Sequence, residues 1–431
     1  MPQPLRTTLD NGLNVLLLEV HTAPVISHWV WYRVGSRDEP TGRTGVSHWV
    51  EHMQFKGTPK YPAGVLDKAI SRQGGFWNAF TFLDWTAYFE TLPAQAIDLA
   101  LDLEADRMVN SLFDPEEVER ERTVVISERQ GNENSPQFRL GEEVQAAAFR
   151  VHPYHHEIIG DLADLERMTH EDLYRHYRTY YIPNNAVLAV AGDFQTEAML
   201  RQIEAAFGAI PAGPEPPRLV RPEPPQRGER RVVVEGPGET AFLEVAYHAP
   251  KAADSDFFPF LVLDSLLTGP SNLNISGGGI SNRTSRLYRR LVEGEIAASV
   301  SGGFQATLDP FLFSIAVTLR PDRRPEEALQ TIDEEVRRLQ DEPPPADEVA
   351  RAVKQARALF AYGSESTTNL GFWLGFSSMV AQVDWFLTFL DRLAEVTPQE
   401  VQRMAQAYLR PQNRVVGTYL PTNHAVEVHH E

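Results

Sequence analysis

Residues 168–193 read MTHEDLYRHYRTYYIPNNAVLAVAGD, and residues 396–421 read VTPQEVQRMAQAYLRPQNRVVGTYLP. Thr169, Tyr180, Pro183, Asn185 and Val187 of the first stretch recur as Thr397, Tyr408, Pro411, Asn413 and Val415 of the second, each displaced by 228 positions. Both stretches spell a helix, a proline-bearing turn and an apolar strand of the buried type. Shared chemistry at one fixed offset marks an internal duplication. Between the copies, residues 211–231, PAGPEPPRLVRPEPPQRGERR, hold seven prolines in 21 positions. Each ring fixes φ and removes a donor, which excludes helix and central strand and makes this a linker. The expected organisation is a first domain over 1–210, a linker over 211–231 and a homologous second domain over 232–431.

Strands are expected over 13–19, 26–34, 231–235 and 242–248, and a further one over 74–88, which enters through a glycine turn and is rich in aromatic and β-branched residues. Helices are expected over 64–72, 95–111, 116–130, 138–151 and 171–181. Short meanders interspersed with long helices predict an α+β chain of two homologous domains, each a mainly antiparallel sheet layered with helices.

Composition narrows the function. With 40 Lys+Arg against 59 Asp+Glu, the formal net charge of −19 removes the positive face that phosphate backbones or anionic lipids need, so nucleic acid and membrane surfaces are excluded as partners. A peptide or a cationic ligand suits the chain better. The absence of cysteine excludes disulfides, thiolate zinc sites and a cysteine nucleophile, leaving His and carboxylate to hold any metal. No uninterrupted apolar run of about 18 residues occurs, and MPQPLRTTLDNG lacks the features of a secretory leader. A soluble, cytoplasmic chain is expected.

Residues 45–55, GVSHWVEHMQF, place His48, Glu51 and His52 in the order H-x-x-E-H. On a helix the two imidazoles stand one turn apart on one face, where they can grip one ion, with Glu51 beside them. A catalytic zinc needs a third protein ligand, so a carboxylate on another helix is sought. Residues 118–130, VERERTVVISERQ, supply Glu121 and Glu128, two turns apart on one face with Val124 and Val125 between them. Partly buried carboxylates need a partner, and a bound cation would be one. The overlapping run EEVERER at 116–122 would otherwise read as a solvated helix face.

Together GSRDEPTGRTGVSHWVEHMQFKGT at 35–58, GGFWNAFTFLDWTAYFETLP at 74–93, ERERTVVISE at 119–128 and HPYHHEIIG at 152–160 resemble the pitrilysin and insulin-degrading-enzyme family of zinc metallopeptidases, the inverzincins. The two-domain form is similar to the catalytic subunit of the mitochondrial processing peptidase. The resemblance implies a zinc metalloendopeptidase with one Zn2+ per chain held by His48, His52 and Glu128. It also implies that Glu51 is the general base for the attacking water, that Glu121 orients a histidine ligand, and that Asn78 and Ala79 contact an extended substrate along an edge strand. The first domain would then be catalytic. The second would complete a substrate chamber without metal, since Phe260, Leu263 and Asp264 stand opposite the H-x-x-E-H residues, and Ala352 and Leu359 opposite Glu121 and Glu128.

Two-domain members of the family form half of a clamshell, so a full chamber implies a dimer. Active relatives carry an arginine and a tyrosine in a second-half motif L-R-x-x-x-G-L-A-Y. The matching stretch here, LVEGEIAASV at 291–300, fits with one residue missing and puts Val292 and Ala298 at those positions. Neither side chain donates a hydrogen bond, so a heterodimer is expected in which a related chain supplies the Arg/Tyr pair. A homodimer in which Arg289 or Arg290 substitutes is the alternative. Two other classes compete with the peptidase: a non-catalytic scaffold or assembly subunit of the same fold, and a zinc hydrolase acting on something other than peptides. SGGGISNRTSRLYRR at 276–290 is read as a structural or substrate-access segment, and HAVEVHHE at 424–431 as a solvated terminus.

Overall fold

The computed structural model describes residues 3–274 and 279–422. The first sheet contains β1 (Leu5–Thr8), β2 (Asn14–Glu19), β3 (Val25–Tyr32), β4 (Phe76–Thr81), β5 (Thr86–Pro93) and β6 (Ala186–Gly192), in the order β1-β2-β6-β3-β5-β4. The second contains β7 (Arg230–Pro237), β8 (Phe242–His248), β9 (Ala297–Phe304), β10 (Leu312–Leu319) and β11 (Arg414–Thr422), in the order β7-β11-β8-β10-β9. Among the described residues, only β2–β6 and β7–β11 pair in parallel. Without β1, the two sheets have one topology, and β6 and β11 come from the two copies of the repeated segment.

The repeated residues make the same bonds twice. Thr169 caps the helix His170–Tyr180 in a box with Asp172, and Thr397 caps the helix Pro398–Tyr408 in a box with Glu400. The Asn185 amide donates to the Tyr180 carbonyl at 2.8 Å, and the Asn413 amide to the Tyr408 carbonyl at 2.8 Å. Each asparagine thus satisfies a carbonyl that the end of its helix leaves open, and fixes the turn into the strand.

The compact units differ from a simple division at the linker. One unit comprises Met1–Gln130, His156–Arg221 and Gly363–Thr388, and the other Gly131–His155, Pro222–Tyr362 and Phe389–Glu431. One of the boundaries between the units, Arg221/Pro222, lies within 211–231, and each sequence half also contributes helical structure to the other unit. The helix Thr367–Val380 lies on β3 and β6, and the helix Pro136–Ala148 lies on β11, β7 and β8. The physical reason is the apolar face that each sheet would otherwise leave bare. On the first sheet, Trp29 and Trp31 pack edge-on against Phe372 at ring distances of 5.7 and 5.5 Å. The proline-rich stretch is pinned, with Glu223 accepting the N–H groups of Arg150, Val151 and His152 at 2.9 to 3.1 Å.

Residues 74–88, read above as one strand, form a hairpin. β4 and β5 are joined through Phe82–Trp85, where the Phe82 N–H donates to the Trp85 carbonyl at 2.8 Å. The turn lacks glycine and proline and is held instead by long-range contacts: the Arg37 N–H donates to the Leu83 carbonyl, and the Arg37 guanidinium stands 3.7 Å from buried Asp84. The hairpin makes β4 the edge of the first sheet. No described helix is long and apolar enough to cross a membrane. The histidines at 424, 429 and 430 and residues 276–278 of the glycine-rich stretch lie outside the described residues.

The helix Thr367–Val380 approaches its sheet through glycine. A Cβ added at Gly375 would stand 1.9 Å from Trp31 Nε1, and one at Gly371 would stand 2.5 Å from Trp29 Cδ1. We expect Gly375→Ala to destabilise its unit by about 1–3 kcal/mol through overpacking, read as a fall of several degrees in the melting temperature. An unchanged melting temperature would show that the helix does not seat on Trp31.

Candidate metal centre

The helix Val46–Met53 carries the H-x-x-E-H residues. At eight residues it is too short to be stable alone, so its ends must be held from outside. At its start, Glu39 accepts the N–H of Gly45 and of Ser47, each at 2.8 Å, which ties both of its oxygens to the first turn, while burial pushes its pKa up to about 8. Gly45 has φ of 86° and lies so close to the Ile159 carbonyl that a Cβ would stand 2.4 Å from its oxygen. Glycine is required there on both counts. The end of HPYHHEIIG therefore locks the entrance to the helix, helped by the Asp161 N–H, which donates to Thr44 Oγ1 at 2.8 Å.

The long helix Pro115–Glu133 runs beside it and brings in both glutamates. The charge run at its start is solvated on one side only. Arg122 leaves that face, lies 4.8 Å over the Trp49 ring and donates to the Leu165 and Met168 carbonyls. Glu121 is buried, and so is Val125, whereas Val124 is half exposed, so a single valine is buried between the glutamates.

His48, His52 and Glu128 each offer a donor atom, and these atoms lie within 4.8 Å of one another. His52 Nε2 stands 3.5 Å from Glu128 Oε2, and His48 Nε2 stands 3.9 Å from Glu128 Oε1. Ligands about 2.1 Å from a tetrahedral ion are about 3.4 Å apart, so the spacing suits one small cation. Burial pushes the His48 pKa down to about 3, which keeps that imidazole neutral with a lone pair to give. Burial also acts against the charged form of His52, but the Glu121 hydrogen bond and the surrounding carboxylates outweigh it and raise its pKa. The same negative field favours a bound cation. His52 Nδ1 is 2.9 Å from Glu121 Oε1, which sets the tautomer with Nε2 free to ligate. Two imidazole nitrogens and one carboxylate oxygen fit zinc. Among the described residues no second group of this kind forms.

Glu51 is buried beside the histidines and is not part of the donor group. Thr81, at the end of β4, donates to Glu51 Oε2 at 2.6 Å. Burial raises the Glu51 pKa, opposed in part by that hydrogen bond. Asn78 and Ala79 sit on the same edge strand, Asn78 exposed and Ala79 buried. The Ala79 N–H donates to Asn78 Oδ1 at 2.9 Å.

Three partners escaped the sequence reading. Lys56 pairs with the second oxygen of Glu121, and its signal was its position one turn beyond His52. Thr81 positions Glu51, and Glu39 starts the helix. No local pattern marks either, because Glu39 acts on backbone N–H groups and Thr81 on a side chain of another element.

In the second unit Phe260, Leu263 and Asp264 are buried in the helix Phe257–Leu267, with Asp264 accepting from Thr268 Oγ1 and the Ser271 N–H. Ala352 and Leu359 are buried in the helix Ala346–Tyr362. Val292 ends a π-helical turn, Tyr288–Val292, and Ala298 is exposed on β9. Arg289 is exposed, and Arg290 is engaged by Glu334 at 2.8 Å and Glu335 at 3.3 Å.

Residues 14–162 match the family model for Insulinase (Peptidase family M16), and residues 167–356 match that for the Peptidase M16 inactive domain. An uncharacterized zinc protease of Mycobacterium tuberculosis is 31% identical over 74% of this chain and 71% of its own length. The mitochondrial-processing peptidase subunit beta of Blastocladiella emersonii is 26% identical over 95% of this chain and 87% of its own. The crystal structure of a protease from Helicobacter pylori matches with a TM-score of 0.91 and 26% identity, covering 97% of this chain and 100% of that one. The chain therefore belongs to the insulinase family of peptidases, family M16.

Proposed function

We propose that the chain is a zinc-dependent endopeptidase in which His48, His52 and Glu128 hold the metal and Glu51 is the general base. The observation that carries this reading is the convergence of two imidazole nitrogens and a carboxylate oxygen beside a buried carboxylate that is left out of the group. Bound there, zinc supplies a Lewis acid that polarises the attacked carbonyl and acidifies the attacking water. Glu51 takes the proton of that water and delivers it to the departing amide nitrogen. Its raised basicity serves the first transfer, and Thr81 keeps the carboxylate aimed. Glu121 and Lys56 hold His52 in place from behind. An extended peptide pairs with β4 through Asn78 and Ala79, and main-chain bonding of this kind accepts many sequences. A scaffold role would not require the donor set to stay complete.

The partner belongs to the same proposal. Val292 and Ala298 give no hydrogen bond toward a developing oxyanion, and losing such a donor typically costs roughly 100- to 1,000-fold in kcat. Arg290 is held by two glutamates. A related chain supplying an Arg/Tyr pair across the chamber in a heterodimer fits this departure, with a slow homodimer as the alternative. The relative named as a subunit beta supports a paired arrangement. A cytoplasmic setting is part of the proposal and is tested by fractionation of the source cells.

On a panel of quenched peptides we expect chelator-sensitive hydrolysis, and Glu51→Gln to keep zinc while kcat falls at least roughly 100-fold. Loss of zinc in that variant would show that Glu51 is a ligand. Glu128→Gln should weaken zinc binding, because an amide is a poorer ligand than a carboxylate. Glu121→Gln should weaken it about 10- to 100-fold by loosening His52. Competition with a chromogenic chelator measures both, and wild-type affinity in either variant would contradict its role. The isolated chain should be a slow peptidase that a related subunit accelerates. Full activity alone, unaffected by Arg289→Ala and Arg290→Ala, would remove the need for a partner.

A further inference from the structure

The two sheets share one strand order but end differently. In the first, β2 is covered by β1, paired from Leu5↔Leu17 to Thr8↔Asn14. In the second, β7 takes the place of β2 and is the last strand, paired on one side to β11 alone. Among the described residues nothing pairs with its other side. Such an edge is a template for a further strand, and proteins blunt it with prolines, bulges or charged side chains, of which β7 carries Arg231 and Glu235, opposite in sign. β7 reads RRVVVEGP; its one proline, Pro237, ends the strand, and its register with β11 runs without a bulge. Its residues alternate: 230, 232 and 234 are half-buried under the helix Pro136–Ala148, while Arg231, Val233 and Glu235 are exposed. Val233 is 63% exposed, an apolar side chain at the centre of an open edge.

The sequence of this edge is complementary to itself. If two β7 strands run antiparallel about Val233, Arg231 of each stands opposite Glu235 of the other, Val232 opposite Val234, and Val233 opposite Val233. Both charge pairs and the central valines then fall on the exposed face, and the remaining valines on the helix-covered face, so the pleat is satisfied in one register. A two-fold axis needs this self-complementarity. Parallel pairing would set Arg231 against Arg231 and Glu235 against Glu235. Within the chain Arg231 lies 2.6 Å from Glu229, an exposed contact that costs little to exchange.

We propose that β7 is a homodimerisation edge, at which a second copy of this chain adds its own β7 antiparallel about Val233. The occupant is another copy because the Arg–Val–Val–Val–Glu order is matched by its own reverse. A single pair of strands makes a small interface, so the dimer is weak and concentration-dependent. The inference does not depend on the zinc chemistry.

Sedimentation equilibrium of the full chain, from low micromolar to several hundred micromolar, tests it. We expect a reversible monomer–dimer equilibrium. Arg231→Glu and Glu235→Arg, each alone, set like charges opposite one another twice per dimer and should weaken it about tenfold or more. Mixing the two single variants restores both opposite-charge pairs, as does the double variant Arg231→Glu/Glu235→Arg, and both should recover wild-type dimerisation. This recovery cannot arise from misfolding of the single variants. Val233→Lys should abolish the dimer. A wild-type chain that stays monomeric throughout, or a dimer indifferent to the single reversals, would overturn the proposal. So would single variants that weaken the dimer with no recovery on mixing, or stoichiometric pairing of β7 with an unrelated peptide in place of self-association.

Discussion

The carboxylate of Glu39, buried and bonded to two N–H groups at the start of the helix Val46–Met53, is the constraint from which the site is built. A helix of two turns has no stability of its own, and the position of its first residue sets where every later side chain points. With the start fixed by Glu39 and Gly45, His48 and His52 emerge on one face and Glu51 on the adjoining one. The far end is fixed by Glu121, bonded to His52 and Lys56. Two glutamates from different parts of the chain thus hold the helix at both ends, and a third, Glu128, completes the donor set.

The duplication explains the frame around this site. Two sheets of one topology are each covered on one face by a helix from the other sequence half, so neither half buries its own apolar face without the other. Gly371 and Gly375 let the first of these helices lie against Trp29 and Trp31, and Gly417 lets β11 lie against Val144 on the second. Exchange of equivalent helices makes the two copies interdependent in folding while leaving their functional faces free to diverge. The second copy keeps the framework and replaces the donor set with an apolar helix around Asp264, whose carboxylate is satisfied internally by Thr268 and Ser271. A buried carboxylate with its own hydrogen bonds needs no cation.

Much of this was legible in the sequence because it rests on local spacing. The repeated Thr, Tyr and Asn residues announce caps and turn bonds that both copies make, and H-x-x-E-H fixes its geometry once a helix is assumed. Glu121 and Glu128, seven residues apart, could be placed on one face in the same way. Three features were illegible, because none of them leaves a mark in local spacing. The hairpin at 82–85 carries no glycine or proline, and Arg37 holds it through the Leu83 carbonyl and Asp84. The exchange of helices across the linker leaves no trace in periodicity, since an amphipathic helix does not state which sheet it covers. Glu39 and Thr81 act through bonds to backbone or to another element, and their own neighbourhoods look like ordinary loop and strand.

The proposed chemistry requires one zinc ion between His48, His52 and Glu128. Crystals of the protein purified with zinc, measured on both sides of the zinc absorption edge, test it most directly. A single strong anomalous peak per chain is expected at the point facing His48 Nε2, His52 Nε2 and the Glu128 carboxylate, with metal–ligand distances of about 2.0–2.2 Å. No peak at that point, or a peak ligated by Glu51 in place of Glu128, would contradict it.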